Sequence, residues 1–197
     1  MVDYAVATDV FAYGEFSEDE QDDTDIQSRI EDLITVVSTR FDIIANRAIM
    51  ASGDTIHYFD LREAQDGRVL YLDDFIVSIT SVTNGDGDSI ASDKYTLLPF
   101  NSVRKSMIRL KADSGISWEY DEDTPIAIVG EWAFYPAGTV PDDINLACVK
   151  AVWSEYKARD IAVDVNEPTV TQFGHVLMPS RWSKDVWDVL RSVTKVL

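Results

Sequence analysis

Cysteine, histidine, basic residues and long apolar runs are all scarce in this 197-residue chain. The single Cys148 excludes an internal disulfide framework and a zinc site built on cysteine pairs. His57 falls in a strand pattern and His175 in a stretch of Pro, Gly, Asn and Thr. No His-x-x-x-His or Cys-x-x-Cys spacing exists, so both histidines read as structural and no metal or cofactor is expected. Apolar runs reach only a few residues, as in 126–130, against the roughly 20 of a membrane span, so no membrane contact is expected. Met1–Gly14 holds Asp3 and no Lys or Arg, unlike a secretory signal. The expectation is a soluble protein of a reducing cytoplasm.

Bases number 17 against 35 acids, a formal net charge of -18. That argues against wrapping nucleic acid by phosphate neutralisation. There is no Walker loop, dinucleotide fingerprint or Gly-x-Ser-x-Gly elbow. Asn84, Asp86 and Asp88 alternate like the start of a calcium loop. Ser89 and Tyr95 then stand where that loop needs Gly and Glu, so a hairpin turn explains them better. The acidic pairs Asp73-Asp74 and Asp142-Asp143 are ordinary in so acidic a chain. No catalytic residues emerge, and the chain does not read as an enzyme.

What is present is a core-forming composition, 46% hydrophobic with 11% aromatic. Residues 15–25 carry an acidic run without a base, which makes 1–23 an expected solvated arm. Asp23 or Thr24 then caps a helix over 24–50, with Ile26, Ile30, Leu33, Val37, Phe41, Ile44 and Ala48 on one stripe. Val36 and Ile43 lie off that stripe, either half-exposed or on a second contact face. Region 54–135 reads as six or seven short strands at Thr55–Leu61, Arg68–Leu72, Phe75–Val82, Lys94–Leu98, Ser106–Lys111 and Pro125–Phe134. Asn84-Gly85-Asp86-Gly87 supplies a tight turn. Pro141 and two acids open a helix over 141–160. Ile161–Pro179 reads as a linker before an amphipathic helix over 181–196. The fold class is α+β. Two helices pack with an inserted antiparallel β sandwich or partly open barrel, in one domain over 1–161, followed by a C-terminal arm over 162–197.

Three features point to partners. The helix over 141–160 is apolar on two sides, with Ile144, Cys148, Ala151 and Val152 on one and Leu146, Val149, Trp153 and Tyr156 on the other. A helix apolar on two sides needs cover on two sides, and a second subunit could supply it. Arg104, Lys105, Arg109 and Lys111 form a basic cluster. It suits either an ordinary strand with outward bases, blunting a sheet edge, or a contact with an acidic neighbour such as the next copy. The last helix, tethered by a long linker, carries Trp182, Val186, Val189, Leu190 and Val193 on one arc. Trp187 sits off it. The helix could fold back on its own domain or dock elsewhere.

The order of these features resembles the head–tail connector, or adaptor, proteins of long-tailed bacteriophages. The opening helix with Arg40 and Arg47, the segment Leu70–Gly87, Tyr95-Thr96-Leu97-Leu98-Pro99, Val129–Phe134 followed by Val140–Ile144, and Tyr156–Asp160 carry the likeness over about residues 24–160. Many members of that family are shorter and mostly helical, so the β region is a departure. The resemblance implies a structural virion protein of the neck, made in the host cytoplasm. It implies a ring, usually of twelve copies, below the portal protein. A stopper or tail-completion protein sits beyond it, and DNA passes through the channel without specific binding. The resemblance also implies that the C-terminal arm grips the portal, through Trp182, Val186, Trp187 and Leu190. The alternatives are a stopper or tail-completion protein, or a non-structural acidic DNA mimic.

Overall fold

The computed structural model describes residues 2–60, 64–65, 67–119, 124–160, 169–170, 176–177 and 182–195. They divide into two compact units, Met1–Asn46 with Thr139–Val196, and Arg47–Gly138. The last helix, in the arm expected over 162–197, belongs to the first unit.

The first unit is helical. Its start is packed, where a solvated arm was expected. Helix α1 (Ala7–Gly14) buries Val10 and Phe11, and Tyr4, Ala5 and Phe16 are buried beside it. The Tyr4 backbone amide donates to Ser38 Oγ at 3.0 Å, and the Asn145 side-chain amide donates to the Tyr4 carbonyl at 3.2 Å. The acidic run itself is exposed. It forms the single turn α2 (Glu18–Gln21), closed by a capping box between Ser17 and Glu20. The backbone bond from Ser17, then its hydroxyl, hold the Glu20 carboxyl below the usual carboxylate range.

Helix α3 (Thr24–Ala45) starts where Asp23 accepts from the amides of Asp25 and Ile26. Ile30, Leu33, Val37 and Phe41 are buried on the expected stripe, while Val36 and Ile43 are exposed. The helix stops five residues short of the expected Met50. Asn46 takes the left-handed conformation (φ 53°) and caps it, as Asn tolerates. Ala48 and Ile49 instead accept backbone bonds from Phe134 and Tyr135 in extended geometry.

Helix α4 (Asp142–Asp160) packs on α1 and α3 and buries Ile144, Cys148, Ala151 and Val152. Cys148 Sγ lies 3.8 Å from Ser38 Oγ. Burial, against that contact, pushes the thiol up to about 12. Between about pH 9 and 12 the folded chain keeps this proton while the unfolded chain sheds it. Stability therefore falls with rising pH in that window, by about 1.4 kcal/mol per pH unit. Urea titrations across it should fall more steeply in the native chain than in Cys148→Ala, the difference between the two being about this slope.

The second unit is one antiparallel sheet. Its strands are β1 (Thr55–Phe59), β2 (Ala64–Gln65), β3 (Val69–Thr83), β4 (Tyr95–Leu98), β5 (Lys105–Leu110) and β6 (Ile126–Trp132). The order is β1-β6-β3-β5-β4, with β2 also on β3. β1 and β4 end that path, so the sheet is not closed into a barrel, and the expected α+β class with an inserted antiparallel β region holds. The two strands expected at 68–72 and 75–82 are one strand. Asp73-Asp74, which looked like a break, falls at a register shift between Tyr71 and Ile76. Asp74 there pairs with Arg47 at 3.3 Å, and Asp73 with His57 at 3.1 Å.

Alternation places Leu70, Ile108, Leu110, Ile126, Ile128 and Trp132 in the sheet's core. Asn84 anchors the turn after β3. Its side chain donates to the Ser117 carbonyl at 3.0 Å and accepts from the Glu119 amide at 2.9 Å. These bonds give Asn84 the structural role of a hairpin residue. In the expected linker, β7 (Thr169–Val170) pairs with β8 (Val176–Leu177). His175 and the rest of that segment lie outside the described residues. The final helix, α5 (Lys184–Val193), is shorter than the expected 181–196. No helix among the described residues is long and apolar enough to cross a membrane.

Candidate interaction surfaces

The second apolar side of α4 is covered largely within its own chain. Val149 and Tyr156 are buried. The Phe16 ring stands 5.3 Å from Trp153 and 5.4 Å from Tyr156, and Gly14 packs against the Trp153 face. Lys157 caps the outer side of Trp153 at 4.6 Å. Trp153 is half-buried, and Leu146 is exposed (46%). Of the four candidates for a subunit contact on this helix, Val149 and Tyr156 are buried within the chain, Tyr156 beside Phe16. Leu146 and part of Trp153 stay open.

The terminal helix α5 docks in cis. Val186, Leu190 and Val193 are fully buried and Trp182 nearly so, its ring 5.3 Å from Phe41. Lys150 of α4 pairs with Asp185 at 3.1 Å, and the Lys195 amide donates to the Ala45 carbonyl at 2.8 Å. Of the two placements the sequence left open for this helix, the structure has the one on its own unit, with Trp182, Val186 and Leu190 buried there. A long linker adds little to the cost of docking at home, about 0.6 kcal/mol per doubling of loop length. Trp187, beside Trp182 at 5.6 Å, remains half-buried.

The basic cluster separates into two pairs. The Arg104 guanidinium lies 3.9 Å over the Phe134 ring and 5.7 Å from Phe75. Lys105 donates to the carbonyls of Pro99 and Phe100. Arg109 and Lys111 are exposed. β5 is an inner strand between β3 and β4, so these bases do not blunt an edge. Register adds side chains the sequence did not single out. Tyr71 and Leu98 lie opposite Met107, while Val69 and Thr96 lie opposite Arg109, so all share the face away from the core. Tyr71 (44%), Phe100 (66%) and Val103 (64%) are exposed. Period-two alternation is the signal for this face, but only the strand pairing shows which residues join it. A depression of about 590 Å³ beside it is lined by Arg68, Arg109, Lys111 and Asp113.

A second groove, about 580 Å³, runs along α3 and α4 in the helical unit, lined by Leu33, Val36 and Val37 together with Arg29, Asp32, Arg40 and Glu155. Arg40 pairs with Glu155 at 3.0 Å. His57 stacks flat on Trp132 at 3.9 Å, a structural role. Among the described residues no group of three or more His, Cys, Asp or Glu is placed to hold a metal ion. The chemistry these surfaces offer is that of packing and charge.

A helical unit interrupted by an open antiparallel sheet defines an α+β protein with an inserted β region. No protein-family model and no curated protein matches the chain. Solved structures share its fold. A chain in the neck of an empty GTA particle, computed with C6 symmetry, aligns over 96% of this chain and 89% of its own, with TM-score 0.58 and 11% identity. A chain of the native gene transfer agent (GTA) virion aligns over 87% and 79%, with TM-score 0.52 and 12% identity. A chain in the neck of the native GTA particle, computed with C12 symmetry, aligns over 98% and 93%, with TM-score 0.50 and 14% identity. At these identities the likeness is one of fold, and it spans both units.

Proposed function

We propose that this chain is a structural protein of a virion neck: a head–tail adaptor whose copies form a ring of twelve below the portal, linking capsid to tail and lining the DNA exit channel. The observation that carries the reading is the shared fold over nearly the whole of this chain and of a chain in a GTA neck. Neck particles computed with C12 and C6 symmetry favour a ring. The net charge of -18 suits a channel wall that must let a polyanion slide past without holding it.

Imaging of the assembled neck, with this chain traced in density, is the test. Cross-linking in intact particles should join it to the portal on one side and to a stopper or tail-completion protein on the other. Contacts to tail proteins alone would make it one of those instead. A chain that stays out of the neck altogether defeats the reading.

Trp187 is the one portal candidate on α5 that is not buried in cis. Trp187→Ala should destabilise the free chain by only about 1–2 kcal/mol, since its ring packs on Trp182 with part of its surface open. It should nonetheless weaken portal cross-linking in particles. Unchanged cross-linking would remove Trp187 from the contact.

A further inference from the structure

A ring of identical subunits needs two different surfaces on each copy, one for the neighbour on either side. The chain carries a contrasting pair. On the outer face of β3, β4 and β5, exposed Arg109 and Lys111 border the depression that Arg68 also lines. On the same face the Arg109 guanidinium stands 6.0 Å over the Phe100 ring and Tyr71 lies opposite Met107, and Phe100, Tyr71 and, in the β4–β5 connection, Val103 are exposed. On the helical unit, Glu15, Glu18, Asp19, Glu20, Asp22, Asp23 and Asp25 are all exposed, with no base among residues 15–25.

We propose that the basic face of the sheet is a docking surface for a second copy of this chain, and that it receives the acidic segment 15–25 of that copy. The inference rests on the ring reading and names the contact that would build it. Charge complementarity selects the occupant. In a chain of net charge -18, copies repel at long range unless a local attraction is large enough to orient them. The densest acidic stretch facing an exposed basic face provides it.

The apolar side chains decide against duplex DNA as the occupant. DNA phosphates would engage Arg109 and Lys111 but leave Tyr71, Phe100 and Val103 wet, whereas a protein surface buries them. Arg104 and Lys105 are excluded from the contact. One lies on Phe134, and the other is bonded to the 99–100 backbone.

The test uses the full chain at high concentration and low salt. Wild type should associate in sedimentation, and salt should reverse it. Zero-length carbodiimide coupling should join Lys111 to carboxylates of residues 15–25 between molecules. The variant Arg109→Glu/Lys111→Glu should lose association by about tenfold or more, and so should Glu15→Lys/Glu18→Lys/Asp19→Lys/Asp22→Lys, which leaves the segment with more bases than acids. Because every altered position is exposed, both variants should remain folded by circular dichroism. An equimolar mixture should recover, since each acidic face then meets a basic one and copies alternate around the ring.

The inference is overturned by a wild type that stays monomeric under these conditions, by couplings that map elsewhere, by a double-Glu variant that associates normally, or by a mixture that does not recover. Binding of a DNA duplex to this face in place of self-association overturns it too. None of these results removes the chain from a neck in which it has been imaged, so failure here and failure of the adaptor reading are separable.

Discussion

Leu190→Ala should destabilise the free chain by about 2–5 kcal/mol, the range for emptying a fully buried leucine site. Leu190 sits between Val186 and Val193 on α5, all three without exposure. The helix is held to the first unit at both ends, by the Lys150–Asp185 pair and by the Lys195 amide on the Ala45 carbonyl. The loss should therefore spread into the α3–α4 core around Phe41 and Trp182, whose rings are 5.3 Å apart. Urea denaturation followed by tryptophan fluorescence measures it. A terminal helix that waited for another protein would give the opposite result, with no change in the free chain.

Gly130→Ala should cost about 3 kcal/mol or more, since added core atoms that cannot be accommodated force the backbone apart. Gly130 lies on β6 between Thr55 of β1 and Ile79 of β3. β3 shifts register on either side of Ser78 and Ile79, which brings the Ser78 carbonyl over the glycine. A Cβ there would collide with that oxygen and come within 2.9 Å of Ile76 Cδ1. Backbone blocks it on one side and a fully buried core residue on the other, so neither yields cheaply. Gly138→Ala offers the contrast. Nothing lies within 4 Å, so only the strain of a side chain at φ 140° remains, and about 1–3 kcal/mol is expected with no collision in the sheet. Hydrogen exchange along β6 should accelerate in the first variant and stay native-like in the second.

Local periodicity was readable wherever one element sets it. Ile30, Leu33, Val37 and Phe41 follow the 3.6-residue repeat, and the structure buries all four. The arc of α5 was equally plain. What covers that arc was not, because an amphipathic face states that it needs a partner without naming one. The end of α3 misled because Ala48 continues the stripe, while the decision belongs to Asn46 and to backbone bonds reaching from residues 134 and 135. In the acidic run, charge density outweighed a legible capping box, Ser17-x-x-Glu20, and Phe16, which packs beside Trp153 and Tyr156.

Asp73-Asp74 looked like a break between two strands because bulges and turns favour similar residues. Strand order lay beyond reach, since β1 pairs with β6 some seventy residues later and no local signal encodes it. The candidate surfaces share that limit. Arg109 and Lys111 were visible as bases, but their association with Tyr71 depends on the β3–β5 register.

The polypeptide leaves its helical unit once, after Asn46, and re-enters once, at Thr139. The residues flanking the excursion, Asn46 and Gly138, both adopt left-handed backbone torsions, where a chain turns sharply. Everything from Arg47 to Gly138 thus behaves as a cassette spliced into a helical carrier.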